Sequence, residues 1–110
     1  MAADRYLHGE SIDQPLPVDA HAMRCVLAER RRQESKWGDQ SANHDLVWLA
    51  VLVEEVGECA KSLLHNMFGG DEAGGLTAES IQASAVSLAW AAALGKRGQH
   101  TNDPSAEAVR

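Results

Sequence analysis

Apolar residues recur at helical spacing in three stretches of this chain, separated by a polar connection and a glycine-rich one. The first stretch carries Met23, Val26 and Leu27 on one stripe, with Asp19 as a plausible N-cap and Gly38 as a stop after about Lys36. Trp37 to Asn43 reads as a polar connection, and Asn43 or Asp45 can cap a second helix reaching about Met67. Between Leu46 and Val53 that helix has no charge and is apolar around most of its circumference, so it needs cover on several sides. Gly69-Gly70 and Gly74-Gly75 mark a flexible loop. Thr77 then suits the N-cap of a third helix, Ala78 to Leu94, ended by Gly95. It too is apolar nearly all round, and its alanines, with Ser84 and Ser87, allow close helix approach. No strand pattern or internal repeat is present in the sequence.

The expected fold is therefore all-α, a bundle of about three main helices per chain. Three helices cannot easily cover two that are apolar all round, so completion by oligomerisation, as a homodimer or tetramer, is expected. Residues 18–95 form the expected helical domain. Residues 1–17, with Pro15 and Pro17, read as a flexible lead-in, and 96–110 as a flexible polar tail.

Composition narrows the function. At 110 residues one domain is expected, and a net charge of −6 leaves no electrostatic footprint for a nucleic-acid polymer. The basic run Arg30-Arg31-Arg32 is flanked by Glu29 and Glu34, as on a solvated helix face. Cys25 and Cys59 lack any metal-ligand spacing and read as buried, reduced core residues of a cytoplasmic protein. Met1 to Gln14 has no signal-peptide core, and the uncharged stretch Ser80 to Gly95 is too short and too polar for a membrane span.

Two acidic clusters interrupt the apolar helices. Glu54, Glu55 and Glu58 follow the charge-free run, and Glu79 heads the third helix with Gln82 three residues on. Residues three apart share a helix face, so packing the two helices side by side can bring three carboxylates and an amide oxygen together. Such a cluster repels itself unless a hard cation neutralises it, and oxygen-only ligation suits Mg²⁺, with Mn²⁺ as a substitute. A solvated face, with Glu58 pairing Lys61 and Glu79 complementing the helix dipole, would account for the same residues without a metal.

The block VLVEEVGECAKSLLHN, followed by a glycine-rich gap and LTAESIQASAVSLAW, resembles the MazG-like superfamily of all-α nucleoside triphosphate pyrophosphohydrolases. The upstream RRRQESKWGDQ…NH is similar to the stretch preceding that motif in short phage-type and actinobacterial members, and the likeness covers roughly Val26 to Leu94. The family signature is EExxE on one helix and ExxD on the next. Glu54, Glu55 and Glu58 fill the first motif and Glu79 opens the second, but Gln82 stands where the family has Asp. The resemblance implies Mg²⁺ held by Glu55, Glu58 and Glu79, with Gln82 a weaker ligand and Glu54 serving a second metal or orienting water. It implies that water attacks the α-phosphorus of a nucleoside triphosphate and releases a monophosphate and pyrophosphate, a house-cleaning activity. Asp71 or Glu72 in the loop is a candidate for the charge that Gln82 lacks.

Phosphate contacts need cations, and Lys61, Lys36, Lys96 and Arg97 are candidates. Trp37 and His44 flank the acidic helix and suit a base pocket, whereas Trp48 and Trp90 sit in apolar runs and read as core. The competing expectation, favoured by Gln82, is a catalytically inactive helical oligomer that binds nucleotide or a protein partner. A ferritin-like di-iron site fails for want of ExxH pairs.

Overall fold

In the computed structural model, which describes residues 16–101, helices α1 (Pro17–Trp37), α2 (Asp45–Phe68) and α3 (Leu76–Thr101) make an all-α fold with no strand among the described residues. Helices α1 and α2 each pack on α3 and not on one another, so α3 is the central element. The gap left between α1 and α2 becomes the cleft described below.

The helix ends differ from expectation in informative ways. Helix α1 starts at Pro17, ahead of Asp19, because proline is pre-set for the first helical position and has no N–H to leave unpaired. Asp19 lies in the first turn, and Gly38, at φ 77°, ends the helix as expected, donating its N–H to the Glu34 carbonyl. The cap of α2 is His44, whose Nδ1 accepts the Leu46 N–H at 3.0 Å, in place of Asn43 or Asp45. That frees Asp45 for long-range work. Its Oδ1 accepts from Trp90 Nε1 at 2.9 Å, and its carboxylate also binds Arg97.

Helix α3 begins at Leu76, which puts Thr77 inside the first turn, and it runs through Gly95 to Thr101. A mid-helix glycine costs only about 1 kcal/mol relative to alanine. Lys96, 3.2 Å from Ser41 Oγ and 3.8 Å from Asp39, and Arg97 on Asp45 tie the following turn to the α1–α2 connection. Residues 96–101, expected to belong to a flexible tail, are therefore helical, and the rest of that expected tail, 102–110, like residues 1–15 of the expected lead-in, lies outside the described residues. The glycine-rich loop is also pinned. His65 Nδ1 accepts the Glu72 N–H at 3.0 Å, and Asn66 accepts from Gly74.

The core is small and lies between α2 and α3. Trp48 packs with Val86, Ala89 and Ala93, with Leu52 and Trp90 partly buried beside them. Small residues set the close approach at the far end: Ser62 is fully buried, and a Cβ on Gly75 would come within 3.2 Å of its Oγ. No residue of α1 is fully buried; Val26 is half-buried, and Met23 and Leu27 are exposed. Cys25 and Cys59 are free thiols and only half-buried, short of the core positions expected for them. Much of α2 remains apolar and exposed, so one chain leaves uncovered the sides that the sequence says need cover. No described helix is long and apolar enough to cross a membrane.

Candidate functional site: an acidic cleft between three helices

A cleft of about 780 Å³ opens between α1, the α1–α2 connection, α2 and α3. Its apolar floor is Trp48, Val51, Val86, Ala89 and Ala93, and its polar walls include Glu54 and Glu55 from α2, Gln82 and Lys96 from α3, and Arg32, Lys36 and Trp37 from α1.

Helical spacing and the α2–α3 packing bring Glu55, Glu79 and Gln82 together. The end of the Gln82 amide lies 3.1 Å from Glu79 Oε2 and 3.2 Å from Glu55 Oε2. With its nitrogen on that side, Gln82 donates to both carboxylates and clasps α2 to α3. With its oxygen there, three oxygens face one another, an arrangement that needs a cation or a proton among them. The Gln82 backbone carbonyl also accepts a long 3.5 Å bond from Gln33 Nε2 of α1. Gln82 is thus the residue on which all three helices meet.

The electrostatics are unbalanced around Glu55. Burial, followed by the charges of Glu79, Glu54, Glu58 and Glu29, pushes its carboxyl above the ordinary glutamate range. Glu29 behaves oppositely. Arg32 grips it through two nitrogens at 2.7 and 2.8 Å, Gln33 adds a 3.1 Å bond, and these contacts, the Arg32 bond foremost, hold its carboxyl low despite burial. Glu29 is the acidic neighbour that the sequence reading leaves on a solvated face. The stripe through Val26 reaches Glu29 and Gln33 at helical spacing, and that signal points them toward α3.

The remaining candidates separate. Glu54 is exposed on the cleft wall, whereas Glu58 and Glu79, both half-buried, do not line the cleft; Glu79 reaches it only through Gln82, and Glu58 is not brought to that amide. Lys36 sits 4.8 Å over the Trp37 ring, and both line the cleft. Lys96 lines it too, while Arg97 is engaged by Asp45. Lys61 lies outside it, 3.0 Å from Glu72, and this pair raises the lysine's proton affinity. Glu72 is thereby spent on Lys61, and neither it nor Asp71 supplies the charge that Gln82 lacks. His44 caps α2 and does not line the cleft, so its ring is committed to the backbone and not to stacking. Trp48 and Trp90 take the core places expected of them.

Compared with family models, with curated proteins and with solved structures, the chain finds no match in any of the three. Its chemistry has to be argued from its own residues.

No three His, Cys, Asp or Glu side chains among the described residues converge as a metal-binding set. What converges is two carboxylates and an amide. That donor set still fits Mg²⁺, which commonly takes one or two carboxylates from the protein and completes its octahedron with water and substrate phosphates. The raised proton affinity of Glu55 supports the fit, since a site that favours a proton to relieve like-charge repulsion also favours a cation.

Proposed function

We propose that the cleft is the active site of a Mg²⁺-dependent nucleotide pyrophosphohydrolase, cleaving a nucleoside triphosphate to a monophosphate and pyrophosphate. One observation carries the reading: Glu55 and Glu79, from different helices, meet at a single amide beside a cleft that Lys36, Lys96 and Trp37 also line. Glu55 and Glu79 would hold the ion, with Gln82 turning its oxygen toward it. When bound, the ion neutralises phosphate charge, the main requirement of phosphoryl-type transfer.

The chain's own residues supply the rest. Lys36 and Lys96, on either side of the cleft, bind the phosphate oxygens. Trp37 offers an exposed ring on which a base stacks. Glu54, free on the wall, takes the proton from the attacking water as oxygen bonds to the α-phosphorus and the bond to the β-phosphate oxygen breaks. Glu58 contributes field, through its effect on Glu55.

The second reading, a nucleotide- or protein-binding module without catalysis, draws on the same amide. With its nitrogen turned inward Gln82 satisfies both carboxylates, and the site is closed without an ion. Pyrophosphate release separates the two, measured over a panel of standard and modified nucleoside triphosphates with Mg²⁺ or Mn²⁺. Metal-dependent turnover lost in Glu55→Gln establishes the enzyme. No turnover on any substrate, with no stabilisation by either metal, leaves the binding module.

A further inference from the structure

The arginine run of α1 is not one solvated patch, because its three members stand in three different settings. Arg31 is exposed and does not line the cleft, and Arg30 pairs with Glu34 at 2.8 Å. Arg32 lines the cleft and is gripped by Glu29 along one edge of its guanidinium. Its Nε donates to Glu29 Oε1 at 2.8 Å and its Nη2 to Oε2 at 2.7 Å. Glu29 is itself fixed: its side chain is only 12 % exposed, and Gln33 donates to the same Oε2 at 3.1 Å.

A guanidinium has two forked edges, each a pair of parallel N–H groups matched to two oxygens of a carboxylate or a phosphate. Glu29 occupies the Nε–Nη2 edge. The Nη1–Nη2 edge has no partner among the described residues. The guanidinium is also near the acidic end of the cleft. Its proton affinity is raised by the bond to Glu29 first and, more weakly, by the charge of Glu55.

We propose that the open edge of Arg32 binds the terminal phosphates of a nucleotide, with Glu29 positioning it. The inference rests on the cleft being a nucleotide site, whether or not the nucleotide is cleaved there. Its direction comes from the order of residues along α1. Gln33 reaches the Gln82 carbonyl, so this turn of α1 lies at the Glu55–Glu79 end. Lys36 shares the helix face of Arg32 one turn on, and Trp37 follows it; both line the cleft. Arg32 and Trp37 are about 7.5 Å apart along the helix axis. A nucleotide whose base stacks on Trp37 therefore runs its phosphates past Lys36 toward Arg32. Lys36 suits the phosphate nearest the sugar as a point charge. The arginine edge is reached only by the phosphates beyond it, so Arg32 selects for phosphate-chain length.

Calorimetric titration tests this, using standard ribo- and deoxyribonucleoside triphosphates as α,β-methylene analogues, which resist cleavage, in Mg²⁺. The base bound tightest is then compared as its triphosphate analogue and its monophosphate. Arg32→Gln is expected to weaken the triphosphate roughly 10- to 100-fold, as for lost hydrogen bonds to a charged group, and to leave the monophosphate unchanged. Arg32→Lys keeps the charge beside Glu29 but not the fork, and should recover little of that loss. It also decides the matter if Arg32→Gln, which strips Glu29 of its cation, fails to keep its helical circular dichroism. Arg31→Gln should bind both ligands as the parent does. Parental triphosphate affinity in Arg32→Gln, equal weakening of both ligands, or full recovery in Arg32→Lys overturns the assignment and leaves the nucleotide cleft standing. A parent that binds no triphosphate overturns both.

Discussion

Replacing Gln82 by glutamate is nearly isosteric, yet it exchanges the nitrogen that can bind Glu55 and Glu79 for an acid oxygen. Of the two bonds of 3.1 and 3.2 Å to carboxylates, one is lost while the new acid is protonated, since its O–H donates once, and both are lost when it ionises. Hydrogen bonds to charged groups contribute about 1.5–3 kcal/mol each, and the partial exposure of this site argues for the low end. A third carboxylate at that distance from two others also meets repulsion on the order of 4 kcal/mol per pair at an effective dielectric near 20, before solvent and salt screen it. The new acid escapes most of that repulsion by staying protonated. The expected net loss is therefore about 2–4 kcal/mol at pH 8 in EDTA, read from urea unfolding followed by circular dichroism. The pH dependence has a definite sign. The added acid binds its proton more tightly in the folded than in the unfolded chain, so stability falls as pH rises from about 4.3, the unfolded glutamate value, through the raised folded value. Mg²⁺ should reverse the loss, adding about 2.7 kcal/mol at a hundredfold excess over its dissociation constant, and should help the variant more than the parent. A variant as stable as the parent at pH 8 in EDTA refutes the bridging role of Gln82. Loss of stability with no recovery in Mg²⁺ retains the bridge and removes the metal.

Three further outcomes follow from the same geometry. The carboxyl of Asp45 is lowered to about 2, by its bonds to Arg97 first and Trp90 second, so it stabilises the fold above its ordinary value of 3.8 and the contribution disappears as pH falls toward 2. Asp45→Asn should accordingly flatten the acid limb of a thermal-stability profile and should loosen the α3 segment after Gly95, seen as faster amide exchange there. Trp48→Ala removes the largest side chain of a core otherwise built on alanine and valine, and should cost about 3–5 kcal/mol in urea unfolding. Lys36→Ala should raise the KM for a triphosphate several-fold while leaving the fold's stability near that of the parent, since Lys36 is exposed and touches only the Trp37 ring.

How much of this was legible in the sequence depends on the range of the interactions. The three helices follow from local signals: Gly38 and Gly69 stop α1 and α2, and apolar spacing fills the stretches between. Glu55, Glu79 and Gln82 are legible as a group because i,i+3 spacing and one packing assumption suffice to bring them together. The run of α3 through Gly95 is not, because the ties that hold it join Lys96 to Asp39 and Arg97 to Asp45 across half the chain. Nor is the His44 cap legible, since an imidazole acceptor competes poorly in propensity with Asn43 and Asp45 beside it. Asp45 is diverted from capping by Trp90 and Arg97, which no local window contains. Glu29 hides for a similar reason: next to three arginines it reads as one half of a surface pair, and only the seating of α1 on α3 turns it inward.

That seating is itself the weakest joint of the molecule. Helix α1 buries no residue fully and does not touch α2, so its position over the cleft rests on α3 alone. One of its polar ties to α3 is the Gln33 bond to the Gln82 carbonyl, on the residue whose side chain spans Glu55 and Glu79. Long and partly exposed, that bond is weak taken singly, and cleft walls held in this way open at low free-energy cost. A triphosphate held between Lys96 of α3 and Lys36 and Trp37 of α1 would join the two helices directly across the cleft. Filling the cleft and fixing α1 are then one event. Amide protection of α1, measured with and without Mg²⁺ and a triphosphate, should rise together with occupancy of the site, while α2 and α3 change little; protection that stays flat in α1 as ligand saturates would separate the two and leave the cleft a rigid one.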